Sequence, residues 1–117
     1  IWEGSTVKLI QNKALIEHSS DSRFAEAFSR IECHYFTNNG WFDTDNYLIE
    51  NVDKIRHIPT VIVHGRYDVV CPVENAWELH KAWPESDLHI IPDSGHAMSE
   101  EGIKDKLIEY TDKFSKL

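Results

Sequence analysis

Several things are scarce in this sequence, and each scarcity excludes something. No apolar run comes near the roughly 20 residues that span a bilayer, so no membrane partner is predicted. No signal peptide is visible. Cysteine occurs only at Cys33 and Cys71, in different segments and without a C-x-x-C pattern. That excludes a disulfide framework and predicts reduced thiols in a cytoplasmic protein. None of the seven histidines stands in an H-x-x-x-H pair, so no metal site is predicted, and His57, His64, His80 and His89 read as surface or structural histidines. Lys and Arg number 12 against 20 Asp and Glu, a net charge of −8. With no basic patch, a nucleic-acid partner is not expected. The acidity serves solubility, and if it bears on substrate it favours a cation. There is no repeat, low-complexity tract or Ser/Gly linker. No G-x-S-x-G occurs, and the chain begins at Ile1 without Met, which reads as a piece of something larger.

What is present centres on Pro59–Asp68. Val61, Ile62 and Val63 form a β-branched run of the kind found in strands buried on both faces of a parallel sheet. Gly65 breaks the strand, and Asp68 falls just past its carboxyl end, where α/β sheets collect ligands and catalytic groups. A second short strand, Leu88–Ile91, is followed by Asp93-Ser94-Gly95-His96. The order is acid, helix, strand, histidine. A carboxylate that fixes an imidazole in one tautomer, so that it serves as general base, is the pair a hydrolytic triad needs. The triad's serine is not here: Ser94 lacks a strained strand-to-helix turn around it. In the order serine, acid, histidine, the nucleophile and most of the oxyanion hole are expected upstream of Ile1, and this chain alone is expected to be inactive.

The rest of the pattern is helical. Residues 1–20 read as one helix, with Val7, Ile10, Ala14 and Leu15 at helical spacing. Trp2 reads as a packed aromatic beside a solvated Glu3. Residues 21–36 read as a better helix, with Phe24, Phe28, Ile31 and Tyr35 in one apolar stripe and Glu32 on its border. Asn38-Asn39-Gly40 ends it, and Trp41 and Phe42 follow as exposed aromatics in a loop. A third helix is predicted over 45–56 on Leu48, Ile49, Val52 and Ile55. A fourth starts at Pro72 with Val73, Ala76, Trp77 and Trp83 buried. A closing helix carries Ile103, Leu107, Tyr110 and Phe114, with acids at its start. The composition shifts near residue 57 from all helix to strand–helix–strand–helix. Two strands leave open sheet edges, through which the chain could associate with itself.

These residues resemble the proline iminopeptidase family of α/β hydrolases over nearly the whole chain. The most telling runs are His64-Gly65-Arg66-Tyr67-Asp68-Val69-Val70-Cys71-Pro72, Ala76–Pro84 and Ser94-Gly95-His96, with Trp2-Glu3-Gly4 and Arg30-Ile31-Glu32-Cys33-His34-Tyr35-Phe36 upstream. The resemblance implies an α/β fold: the C-terminal portion of an α/β-hydrolase core at 45–117, preceded at 1–44 by helices of a cap domain. It implies that Asp68 and His96 are the triad acid and base. It implies that Glu3 and Glu32 bind the free amine of a peptide with N-terminal proline, which carboxylates suit through charge-assisted hydrogen bonds. Cys71 would lie near the site, a point of inhibition by thiol reagents and not a nucleophile. No cofactor is implied. An esterase or epoxide hydrolase would share Asp68 and His96 without depending on Glu32. A non-catalytic module that associates through its sheet edge or its helices is the alternative of another class.

Overall fold

The computed structural model describes residues 2–117. Its elements are α1 (Trp2–Thr6), α2 (Lys13–Ser19), α3 (Ser22–Thr37), α4 (Tyr47–Glu50), β1 (Val61–Gly65), α5 (Val73–Ala82), β2 (Asp87–Ile91) and α6 (Glu101–Phe114). Single 3-10 turns lie at Asn39–Trp41 and Val52–Lys54. β1 and β2 run parallel, in register from Val61 opposite Asp87 to Gly65 opposite Ile91. Parallel strands need a crossover, and α5 supplies it, packing on both strands while α6 packs on β1. The buried apolar side chains are Val52, Ala76, Trp83, Ile91 and Ile103, which lie on or beside this strand–helix unit.

The N-terminal segment is two helices where periodicity predicts one. Val7 closes α1 with an N–H bond to the Glu3 carbonyl at 3.0 Å. Its own carbonyl is taken by the N–H groups of His96 and Ala97, at 3.0 and 2.7 Å, so it cannot bond the residue four ahead. The chain leaves the helix there, Ile10 is exposed, and α2 begins afresh with the Asn12 side chain accepting the Leu15 N–H at 3.0 Å. The predicted helix over 45–56 also divides, at Asn51, whose side-chain amide donates to the Tyr47 carbonyl at 2.7 Å. Of its four apolar markers only Val52 is buried. α3 agrees closely with the expected span, and Asp21 caps it by accepting the Phe24 N–H at 3.0 Å. It ends in three residues of positive φ, Asn39, Gly40 and Trp41. The left-handed backbone sets the Trp41 ring edge-on against His34 and Tyr35.

Burial is thinner than periodicity implies. β1 is half-buried, not enclosed on both faces, and among the described residues it pairs with β2 alone. Trp77 is half exposed while Trp83 is buried, and Trp2 is exposed instead of packed. The stripe of α3 is also open, from Phe24 to Tyr35. No helix is long and apolar enough to cross a membrane among the described residues.

Candidate active site

The acid is built by the turn that follows β1. Asp68 Oδ1 accepts the N–H groups of Val70 (2.9 Å) and Cys71 (2.8 Å), closing an Asx-type turn that fixes the carboxylate plane. Oδ2 is then aimed at His96 and lies 2.9 Å from its Nδ1. The Asp68 side chain is 5% exposed and that of His96 36%. Burial disfavours the Asp68 charge, but the N–H groups of Cys71 and Val70 and the imidazole outweigh it, holding the carboxyl below the ordinary aspartate range. Asp68 is thus an acceptor at working pH, so Nδ1 carries the proton. Nε2 is left with its lone pair, as a general base requires.

The histidine loop reaches the acid because Gly65 lets it. A Cβ on Gly65 would stand within van der Waals contact of backbone atoms of Ser94 and Gly95, closer than any side chain tolerates. Around that approach the Arg66 N–H bonds the Ile91 carbonyl at 2.8 Å, and the Tyr67 N–H bonds that of Ser94 at 3.0 Å. Ser94 is buried, and its carbonyl is spent on this contact.

The two glutamates act on one another through charge. Glu3 is on α1 and Glu32 on α3, both half-buried. Burial raises the Glu32 carboxyl above the ordinary glutamate range, and the charge of Glu3 adds to the rise. Glu3 also lines a cavity of about 260 Å³ with Gly4, Val7, Leu15, Phe24 and Phe28. Val7 ties the backbone of α1 to the His96 loop, because its N–H bonds the main-chain carbonyl of Glu3 and its own carbonyl accepts from His96 and Ala97.

Cys71 has its thiol raised by burial and then by the charge of Asp68. Sequence reasoning read His64 as a surface or structural histidine, and it is a structural one, but its place beside the acid was missed. Its Nε2 lies 2.9 Å from the Cys71 carbonyl and 3.5 Å from Asp68 Oδ2, so it braces the acid's turn. The position of His64, four residues before the acid in the same run, was the available signal. Glu100 was also missed, read only as an acid at a helix start; its carboxylate accepts the Gly95 and Leu9 N–H groups.

A parallel β–α–β unit with an acid after one strand and a hydrogen-bonded histidine after the next is the carboxyl-end arrangement of a hydrolase of the α/β class. The family model for the alpha/beta hydrolase fold matches residues 10–103, and the chain belongs to that family. Within it the chain is similar to proline iminopeptidases. It is 58% identical to a probable proline iminopeptidase of Leptolyngbya boryana over 97% of this chain and 36% of that one. It is 50% identical to a proline iminopeptidase of Arabidopsis thaliana over 99% and 30%, and 48% identical to one of Xylella fastidiosa over 97% and 36%. The chain thus spans about a third of the length of these curated relatives.

Proposed function

We propose that this chain supplies the acid, the base and the amine-reading carboxylates of a serine-type proline iminopeptidase that releases N-terminal proline from peptides. Residues 1–44 would be cap helices and 45–117 core. In the whole protein a serine from outside this sequence attacks the scissile carbonyl. His96 Nε2 takes the serine proton and returns it to the leaving amine, while Asp68 holds the ring in the tautomer that allows both transfers. Glu32 and Glu3 bind the prolyl ammonium. No cofactor enters these steps. Both cysteines are free thiols, which fits a cytoplasmic setting.

One observation carries this proposal: the charge of Glu3 on α1 reaches the Glu32 carboxyl on α3, while the main chain of Val7 ties α1 to the His96 loop. Two carboxylates that repel one another, one of them on a helix tied to the His96 loop, form a receptor for a cation. An ammonium between them relieves the Glu3 repulsion that adds to the effect of burial on Glu32. Because the Glu32 carboxyl lies above the ordinary range, it protonates earlier as pH falls, and amine binding weakens with it. An esterase or epoxide hydrolase would use Asp68 and His96 but would have no use for this pair.

The test is a comparison of proline arylamide with its N-acetylated form on the intact enzyme. The free-amine substrate is expected to be preferred by at least about a hundredfold in kcat/KM, because a site built for a charged donor rejects the analogue without it. Equal rates would contradict the amine-reading role and leave only a general α/β hydrolase.

Cys71 gives a second expectation. Its thiol, less ionised than a free cysteine, is expected to react with iodoacetamide more slowly than glutathione at pH 7.5. Activity should fall in step with its modification, because the added group lies beside the Asp68 turn. Cys71→Ser should stay active and resist the reagent. Loss of activity in Cys71→Ser itself would contradict a bystander thiol.

A further inference from the structure

Glu100 stands just before α6 with extended backbone (φ −70°, ψ 139°), where an acid would ordinarily cap the helix. It makes no side-chain cap. Its carboxylate turns back instead: Oε1 accepts the Gly95 N–H at 2.9 Å and Oε2 the Leu9 N–H at 3.0 Å. The two donors belong to segments 91 and 5 residues from Glu100. Beside them the Val7 carbonyl accepts from His96 and Ala97. Three hydrogen bonds therefore fasten the segment after α1 to the stretch from His96 to Glu100, and the same carboxylate makes a fourth, within the histidine loop, to Gly95. Bonds to a charged acceptor are the stronger kind.

The clamp closes one residue before His96. The carboxylate lies so near Gly95 that an added Cβ there would sit 3.2 Å from Oε1. The His96 ring itself is partly exposed and has its side-chain hydrogen bond only to Asp68 among the described residues. Where the ring begins is set by the backbone at Gly95, and Gly95 is set by Glu100 on one side and Gly65 on the other.

We propose that Glu100 is a positioning residue for the general base, acting through Gly95 to hold the His96 ring in line with Asp68 against the fixed edge at Leu9. This inference rests on the proposed base role of His96. Gln at this position keeps the shape but has only one carbonyl oxygen to accept with, and it presents its amide N–H₂ to one of the two backbone donors. Asp keeps the charge but is one methylene shorter, so it keeps at most one bond.

The experiment is steady-state kinetics of the intact enzyme on proline arylamide, with Glu100→Gln, Glu100→Asp, Asp68→Asn and the double variant Glu100→Gln/Asp68→Asn. Glu100→Gln is expected to lower kcat about ten- to a hundredfold, with KM within about twofold, because a misplaced base costs rate and not binding. Glu100→Asp is expected to recover part of the loss. The double variant should be no more than about threefold worse than Asp68→Asn, since both changes act through one ring. A wild-type kcat in Glu100→Gln, a loss confined to KM, or losses that multiply in full would overturn the proposal while leaving the Asp68–His96 pair standing. Should Glu100→Gln fail to fold, Glu100→Asp decides: a wild-type kcat there makes Glu100 a stability residue only. Wild-type kcat in Asp68→Asn would overturn the base assignment, and this inference with it.

Discussion

Asp68→Asn lowers kcat of the intact enzyme by about 10³- to 10⁴-fold, the scale of the same change in serine triads. The asparagine can keep the turn, because its carbonyl oxygen can still accept from Val70 and Cys71. Its amide then faces His96 Nδ1, where the carboxylate was 2.9 Å away. Two donors cannot share that contact, so the ring must move its proton to Nε2 and is no longer a base there. KM should change little, since nothing on the amine side is touched. Stability carries a second signature. The Asp68 carboxyl is depressed in the folded protein, so its contribution is fully present above the ordinary aspartate value and is lost as pH falls through the lower folded one. Asp68→Asn should therefore unfold at a midpoint that depends less on pH in that acid range. Activity near wild type would show that His96 does not rely on Asp68.

Gly65→Ala is expected to cost both fold and rate. The new methyl would meet backbone of Ser94 and Gly95, which cannot rotate away as a side chain tip would. Either β1 or the histidine loop must withdraw, and the Tyr67–Ser94 bond at 3.0 Å goes with it. Overpacking of this kind costs about 1–3 kcal/mol. Because the same shift draws Nδ1 away from Asp68, kcat is expected to fall at least about a hundredfold even in the folded fraction. Denaturant unfolding and kinetics on one preparation check both parts. A stable, fully active Gly65→Ala would mean that the loop approach is not what sets the base.

The contrast between Gly65 and Val7 shows what can be read from residues in order. Gly65, Asp68 and His96 were legible because strand chemistry, a breaker and an acid follow one another locally, and the helix between the strands fixes their parallel sense. The span and stripe of α3 and its end at Asn38-Asn39-Gly40 were legible for the same local reason. The break at Val7 was not, because its cause is a pair of N–H groups from residues far along the chain. Helical spacing across 7–15 could not foresee that competition. Glu100 was hidden in the same way: an acid before a helix looks like a response to the helix dipole, and only the fold brings Leu9 to it. Trp77 and Trp83 share one predicted face, yet only the second is buried, because periodicity gives a direction and not the partner that covers it. Glu32 was singled out by resemblance and by its place at the stripe's border, and what raises its carboxyl comes from burial and from Glu3 on another helix.

The most direct test of an amine receptor joined to a general base is the ratio of kcat/KM for proline arylamide to that for its N-acetylated form, measured in the intact enzyme and in Glu32→Gln. The wild type should prefer the free amine by at least about a hundredfold, and Glu32→Gln should lose most of that preference through the free-amine substrate alone. An unchanged ratio in Glu32→Gln would contradict the receptor and leave Asp68 and His96 as the acid and base of a hydrolase with some other substrate.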